Sequence, residues 1–192
     1  MTKVLLLNGP ARSGKDSLAR FLVRGFSGTV RIGFADHLKR LAHVLCFGPP
    51  GYDMDPNAFD AVKEVPKLEF AGMSPRQFYI HVSERVCKPL FGEGYFGDRF
   101  VDAARASGAP LVVVPDSGFR EEAERVVEAF GKDDVLLVRL RREGCSFAGD
   151  SRDYITLADL GVAMVQIENV TGRPGLAQGA LKDALVAHWG IA

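Results

Sequence analysis

Gly9-Pro10-Ala11-Arg12-Ser13-Gly14-Lys15-Asp16 is the stretch of sequence that decides the fold. It has the spacing G-x-x-x-x-G-K of a phosphate-cradling loop, with an aspartate where serine or threonine usually follows the lysine. The apolar run at 3–7 predicts a buried parallel strand before the loop, and apolar residues recur at helical spacing over 18–26 behind it. Strand, glycine-rich loop and helix are the local structure that this motif needs.

The chemistry of the loop follows from its backbone and its lysine. Glycines let backbone N–H groups point at one anion, and the following helix directs its positive end at the same place. Lys15 is predicted to bind the β- and γ-phosphates of a nucleotide. Because a bare carboxylate would repel those phosphates, Asp16 is predicted to be a direct or water-mediated Mg²⁺ ligand, with Ser17 as the alternative. The other interpretation is that Asp16 only complements the helix N-terminus.

Length and composition bound the class of protein. The 192 residues are enough for one sizeable α/β domain, and 47% hydrophobic with 25% charged residues is ordinary for a globular chain. The zero net charge argues against a nucleic acid polymer as the main partner. No apolar stretch approaches the ~18 residues of a membrane span, and the chain enters a strand without a targeting pattern. We therefore expect a cytoplasmic protein without a membrane partner.

Cysteine and histidine carry no clear signal. The three cysteines, Cys46, Cys87 and Cys145, lie far apart without metal-ligand spacing, which argues against a zinc site or a disulfide framework. The histidines are scattered as well, and only His37, close to the predicted acceptor site, is left open as a functional residue.

Strand and helix patterns alternate along the chain. The predicted strands are 3–7, 29–33, 111–116, 135–140 and 163–167, and the predicted helices are 15–26, 34–47, one opening at 74, 95–107, 120–130 and 176–189. This alternation predicts a parallel sheet wound on both faces, which is the three-layer α/β/α class. The irregular stretch at 48–73 is long for a loop inside a compact domain and is therefore expected to be functional or mobile.

The strand at 111–116 ends in Asp116. A hydrophobic strand that ends in an acid, downstream of a phosphate loop, is typical of the Walker-B carboxylate that reaches Mg²⁺ or its waters. Asp116 is therefore a predicted metal ligand together with Asp16. The alternative is that Asp116 caps the following helix at 120–130.

Arginines after the fourth strand favour a kinase of small molecules over a GTPase. Arg139, Arg141 and Arg142 lead into a glycine-containing segment with the composition of a lid, and the guanine-reading sequence Asn-Lys-x-Asp is absent from the chain. A lid excludes water, and its arginines neutralise charge on the transferred phosphoryl group. The alternative is that these arginines form a solvated edge.

An anionic acceptor needs cations between the second helix and the 74–107 segment. The candidate cations are Lys39, Arg40, Lys63, Arg76 and Arg85. Arginine suits bidentate phosphate contact best, which favours Arg76 and Arg85, although either is also compatible with an ordinary helix surface.

The order of motifs resembles the deoxynucleoside monophosphate (dNMP) kinases of tailed bacteriophages. The matching stretches are G-x-x-R-S-G-K-D at 9–16, Phe34-Ala35-Asp36-x-Leu38-Lys39, Ser74-Pro75-Arg76, V-V-P-D at 113–116 with Glu-Glu-Ala-Glu at 121–124, and Ile167-Glu168-Asn169. They run in order through nearly the whole chain. The resemblance implies a P-loop three-layer fold with a five-stranded parallel sheet, a helical insertion that binds the nucleoside monophosphate (NMP), and a lid. The implied reaction is ATP + dNMP → ADP + dNDP.

The motifs and the resemblance together give a division of the chain and a set of candidate site residues. The single kinase domain spans 1–192, with a core of 1–33, 110–140 and 161–192, an NMP-binding insertion at about 34–109 and a lid at about 141–160. The candidate ATP-binding residues are Gly9, Ala11, Arg12, Ser13, Gly14, Lys15, Asp16, Ser17, Arg139 and Asn169. The candidate catalytic cations are Lys15, Arg12, Arg120, Arg141 and Arg142, and the candidate acceptor residues are Asp36, Lys39, Arg76, Arg85 and Asp116.

One position departs from the family pattern. Relatives commonly read Asp-x-Arg after the third strand, whereas this chain reads Asp116-Ser117-Gly118, with the next arginine at Arg120. If the family's arginine contacts a phosphate, either Arg120 or an arginine of the lid has to replace it here.

The expected partners are ATP and a dNMP, with Mg²⁺ as cofactor, in the host cytoplasm if the chain is phage-encoded; a homodimer stays open. Because both substrates are anionic and the acceptor phosphate is already ionised, no general base is required. Two other functions stay open. One is a P-loop kinase of another small metabolite, such as a dephospho-coenzyme A or shikimate-type kinase, and the other is a nucleotide-binding module without catalysis.

Overall fold

The computed structural model describes residues 2–191. Its main elements follow in the order β1 (Lys3–Asn8), α1 (Lys15–Gly25), β2 (Thr29–Arg31), α2 (Phe34–Phe47), α3 (Pro75–Val82), α4 (Lys88–Phe91), α5 (Tyr95–Ser107), β3 (Leu111–Ser117), α6 (Arg120–Phe130), β4 (Val135–Arg141), β5 (Ala163–Glu168) and α7 (Pro174–Trp189). The strands form one five-stranded sheet in the order β2-β3-β1-β4-β5, and every neighbouring pair is parallel. The predicted fold class is confirmed.

The sheet is covered on both faces, which is why its central strands are apolar throughout. On one face, Phe100 of α5 and Ala123 of α6 belong to a core cluster with Val4 and Leu6 of β1. On the other face, α1 and α7 pack against the alternate residues of the same strands, including Leu5. In parallel strands the carboxyl ends share one edge, so the loop after β1 and the residues after β3 and β4 meet there.

The segment between α2 and α5 has a small core of its own. The stretch at 48–73 contains three short 3-10 helices, and Phe70 from this stretch is fully buried among side chains of α2 and α3. Ser74 caps α3 by accepting a hydrogen bond from the Gln77 backbone N–H, as the Ser-Pro start predicts. The helix is interrupted by a π-helical turn over Ser83–Cys87, which the simple apolar spacing did not reveal.

The segment after β4 is tied to the sheet by one buried side chain. Asn8, at the end of β1, donates to the backbone carbonyls of Ser117 and Asp153, both at 2.9 Å, and accepts from the Ile155 N–H at 3.2 Å. These bonds hold residues 153–155 against the carboxyl edge of the sheet. Within 2–191, no helix has the length and apolar character needed to cross a membrane.

Candidate phosphate-binding site

Two residues of the loop between β1 and α1 have a left-handed backbone conformation. Arg12 has a φ of 64° and Gly14 a φ of 106°, both in the left-handed region that favours glycine. A Cβ at Gly14 would lie 2.2 Å from Nδ2 of Asn169. That nitrogen donates to the Ser13 carbonyl at 2.7 Å, so Asn169 braces the loop from the end of β5.

Lys15 lies inside the loop with its ammonium group on the loop's own backbone. Its Nζ donates to the carbonyls of Gly9 and, at 2.7 Å, Pro10, and the residue is 6% exposed. Burial, followed by the positive charge of Arg152, lowers the pKa of Lys15 to about 8. The Ser13 hydroxyl is also buried and has no hydrogen-bond partner among the described residues. A buried cation and an unpaired buried hydroxyl in one loop suit an anionic ligand.

Acidic and basic groups from three chain segments surround Lys15. The charges that act on it most strongly are those of Arg152, Asp16, Asp116 and Asp150. Asp116 accepts hydrogen bonds from the backbone N–H groups of Phe34 and Ala35, both at 3.0 Å. It therefore caps α2. The alternative prediction, that Asp116 caps the following helix at 120–130, is wrong. Asp16 is exposed at the first turn of α1.

Arg152 is the residue of this site that the sequence did not predict. A Cβ built on Gly118 would lie 2.7 Å from each of Cβ, Cγ and Cδ of Arg152, so the arginine stem runs across this glycine. Its guanidinium is held by Asp150, with Nη2–Oδ2 at 2.6 Å and Nε–Oδ1 at 2.9 Å. This pair lowers the pKa of Asp150 to about 2.

The surroundings of Arg152 are strongly acidic. Besides Asp150, the carboxylates of Asp116 and Glu122 also raise its pKa. Glu122 is 4% exposed, and burial, followed by the charge of Asp116, raises its pKa well above the ordinary value. Gly118 and the pair Asp150–Arg152 were visible in the sequence, but their contact depends on the fold.

The three predicted arginines at the end of β4 and just after it make three different contacts. Arg139 donates twice to the Ile155 carbonyl, with Nε–O at 2.7 Å, and so holds the lid backbone. Arg142 donates to the Arg12 carbonyl at 3.1 Å and lies against the loop. Arg141 packs over the Tyr154 ring.

The two other predicted catalytic arginines, Arg120 and Arg12, either bind groups outside the loop or are exposed to solvent. Arg120 is half-buried and binds Asp159, Glu124 and the Thr156 carbonyl. Arg12 and the predicted loop residues Ala11 and Ser17 are exposed. The catalytic roles of these residues stay predictions. Arg142, which donates to the loop, lies closer to it than Arg120 does.

The predicted acceptor residues do not form one cluster. Asp36 accepts from the Gly33 N–H at 2.8 Å, and burial with the charge of Asp116 raises its pKa. Lys39 donates to Asn57 and Asp60 at 2.8 and 2.9 Å. These contacts place Asp36 beside Asp116, and Lys39 against the irregular segment.

The two favoured acceptor arginines also differ. Arg76 donates to Glu64 at 2.6 Å, and its charge contributes to the lowered pKa of Asp150 in the lid. Arg76 therefore lies within electrostatic range of Asp150 in the lid. Arg85 is exposed on the π-helical turn.

The donor set fits a magnesium ion that is shared with phosphates. Among the described residues, no group of three or more histidines, cysteines and acids is placed to hold a metal ion. Mg²⁺ usually takes only one or two protein carboxylates and completes its shell with phosphate oxygens and water. The charges of Asp16 and Asp116 both act on Lys15, and these two acids stay the predicted magnesium ligands.

The molecule is thus a three-layer α/β protein in which a glycine-rich loop of the phosphate-binding type joins the central strand to the first helix. No protein-family model matches the chain, and no curated protein matches it. One solved structure that it resembles is the tunicamycin resistance protein of Deinococcus radiodurans, with 15% sequence identity and a TM-score of 0.48. That match covers 100% of this chain and 98% of the other.

Proposed function

We propose that this chain is an ATP-dependent phosphotransferase whose acceptor is a deoxynucleoside monophosphate. The observation that carries the proposal is that Arg152, whose stem crosses Gly118 just after β3, lies near enough to Lys15 for its positive charge to lower the pKa of Lys15. Two cations held at one point from different segments match the need of phosphoryl transfer, where catalysis is mostly positioning and charge stabilisation.

In this proposal Lys15 leaves its backbone carbonyls for the β- and γ-phosphates of ATP. The Ser13 hydroxyl and the N–H groups of the loop supply further donors for the same phosphates. Asp16 and Asp116 would hold Mg²⁺, whose positive charge would offset that of the phosphates. The acceptor phosphate is ionised at neutral pH, so no side chain has to remove a proton.

The acceptor is proposed on two grounds. The charge of Arg76 in the helical insertion acts on Asp150 of the lid, the partner of Arg152, so an anion bound near them would have one cation from the insertion and one from the lid. The choice of a dNMP rests on the residues that resemble the phage kinases, in particular those at 9–16, 34–39 and 74–76. Asp36, Lys39 and Arg85 complete the proposed acceptor side.

A coupled assay of ADP release tests the proposal. The protein is incubated with MgATP and, in separate reactions, each dNMP, each ribonucleoside monophosphate, dephospho-coenzyme A and shikimate. Acceptor-stimulated ADP release with at least one dNMP is the expected result. Turnover only with a metabolite, or ATP binding without any acceptor-stimulated turnover, would exclude the dNMP proposal.

Two variants assign the roles within that assay. Lys15→Ala should abolish transfer, and retention of more than about a tenth of the activity, a loss of only ~1.4 kcal/mol, would contradict its role. Arg76→Ala should raise the KM for the acceptor more than the KM for ATP. An equal effect on both KM values would remove Arg76 from the acceptor site.

A further inference from the structure

The carboxylate of Asp150 covers one edge of the Arg152 guanidinium. Its Oδ2 accepts from Nη2 at 2.6 Å, and its Oδ1 accepts from Nε at 2.9 Å and from the Arg152 backbone N–H at 3.1 Å. Both side chains are largely buried, with 18% of Asp150 and 22% of Arg152 exposed. Phosphate groups bind arginine through the same kind of paired N–H donors. In the free protein, Asp150 therefore occupies donors of Arg152 that a phosphate would use.

Cations from two other chain segments also interact with this carboxylate. The pKa of Asp150 is lowered first by its hydrogen bond with Arg152, and the charge of Arg76 in the helical insertion lowers it as well. Lys15, whose pKa is lowered most by burial, also responds to the charge of Asp150. A single carboxylate thus lies within electrostatic range of three cations that the proposed function assigns to phosphate groups.

The backbone next to Asp150 is open, whereas the Arg152 side chain is packed. Gly149, just before Asp150, is exposed with a φ of 77°, and a Cβ built on it would meet no atom within 4 Å. The stem of Arg152 packs on Gly118, and the next backbone carbonyl along the chain accepts from Asn8. The ion pair can therefore open by movement of Asp150 while Arg152 stays at the carboxyl edge of the sheet.

We propose that Asp150 is a positioning residue that exchanges with phosphate on Arg152. Its carboxylate holds the guanidinium in the free protein, releases it to the phosphate groups of the substrates, and binds it again when the products leave. The inference rests on the proposed function, because it requires phosphate groups at Arg152. It adds to that function a residue that is neither part of the loop at 9–16 nor one of the predicted acceptor residues.

An exchanging carboxylate and a merely orienting carboxylate have opposite effects on phosphate affinity. Because a phosphate has to displace the carboxylate, it binds more weakly than it would to an arginine whose donors are free. The product also leaves faster, since the carboxylate replaces the phosphate on the guanidinium. A carboxylate that only orients Arg152 would instead strengthen phosphate binding by preorganising the cation. The sign of the change in affinity on removal of the Asp150 charge therefore separates the two roles.

Calorimetric titration with inorganic tripolyphosphate at constant ionic strength tests the effect on binding. Asp150→Asn keeps the size of the side chain and removes its charge, and it should raise the affinity for tripolyphosphate about tenfold, the size of one charged hydrogen bond. Asp153→Asn is the matched control, because it removes the same charge from an exposed position of the same segment. The control should change the affinity by no more than about twofold. An equal rise in both variants, or an unchanged or lower affinity in Asp150→Asn, would overturn the proposal.

The ADP-release assay tests the effect on product release. Asp150→Asn should lower both the KM for ATP and kcat, each by about tenfold, because phosphates that bind more tightly also leave more slowly. Asp150→Glu keeps the carboxylate and should return both constants toward those of the wild type. A lower kcat with a raised KM would mean that Asp150 only orients Arg152, and an unchanged kcat would remove its role in product release. Either result contradicts the exchange.

The two assays separate this inference from the proposed function. A higher tripolyphosphate affinity of Asp150→Asn, without phosphorylation of any dNMP by the wild type, would exclude the dNMP acceptor and retain the exchange at Arg152. Phosphorylation of a dNMP by the wild type, without a gain in affinity in Asp150→Asn, would retain the function and overturn the exchange. If Asp150→Asn fails to fold in a thermal melt, Asp150→Ser removes the same charge, and the same gain in affinity is expected.

Discussion

Arg152 and Gly118 should behave as one functional unit. The substitution Gly118→Ala would place a methyl group 2.7 Å from three carbon atoms of the Arg152 stem. Since carbon atoms pack at about 3.5–4.0 Å, the stem has to move by about 1 Å. A displacement of that size at a group that positions phosphate can cost about 100-fold in rate, so we expect kcat to fall by that order.

Removing the guanidinium itself should cost at least as much. Arg152→Ala takes away a preorganised cation from a site where phosphoryl charge develops, and such losses amount to about 10²–10³-fold in kcat. The control is Arg125→Ala on α6, an exposed arginine whose ion pairs, among the described residues, are with Glu128 and Asp98. It should change kcat by no more than about twofold.

The double variant decides whether the two residues are coupled. If Gly118 matters because it admits Arg152, then Gly118→Ala in the Arg152→Ala background should change kcat by no more than about twofold. The assay is the ADP-release measurement at saturating MgATP and acceptor, with melting temperatures to confirm folding. A loss of about 100-fold that persists in the double variant would refute the coupling, because the methyl group would then act on something other than Arg152.

Three further predictions follow from the site. Phosphates bound to Lys15 stabilise its ammonium form and raise its pKa from about 8, so ATP affinity measured by calorimetry should fall about tenfold between pH 7 and pH 9, and Lys15→Arg should remove this fall. Asp16→Asn should raise the Mg²⁺ concentration for half-maximal activity about tenfold, and an unchanged requirement would assign Asp16 to the helix terminus alone. Asn8→Ala should lower the free energy of unfolding in urea by about 3 kcal/mol, because the Ser117 carbonyl, the Asp153 carbonyl and the Ile155 N–H lose this partner, two of them in buried hydrogen bonds and one in a part-buried one.

The phosphate loop and the sheet were predictable because their signals are local. The loop spacing at 9–16 and the apolar runs at 111–116 and 135–140 specify backbone shape within a few residues, and the structure places a strand at both runs. The π-helical turn at Ser83–Cys87 was missed because the apolar residues Val82 and Val86 keep the spacing of an uninterrupted helix.

The partners of the charged residues were harder to predict because they are set by tertiary contacts. Asp116 was predicted to be a metal ligand or, alternatively, to cap the next helix. The metal role stays a prediction, whereas the helix that Asp116 caps is α2, which follows a neighbouring strand of the sheet. Arg152 was missed for the same reason. Its position over Gly118 depends on Asn8, which fixes the backbone of the neighbouring residue Asp153.

In the free protein, both Lys15 and Arg152 already have hydrogen-bond partners, and this affects which ligand the site selects. Lys15 is bound by two backbone carbonyls, and Arg152 is bound by the Asp150 carboxylate. A ligand must replace both sets of contacts, since neither cation is left without partners. A lone phosphate replaces one set only, whereas a triphosphate reaches from Lys15 toward Arg152 and replaces both. On the proposed function, we therefore expect affinity to rise steeply from mono- to triphosphate, and a flat dependence on phosphate number would argue that Arg152 does not leave Asp150.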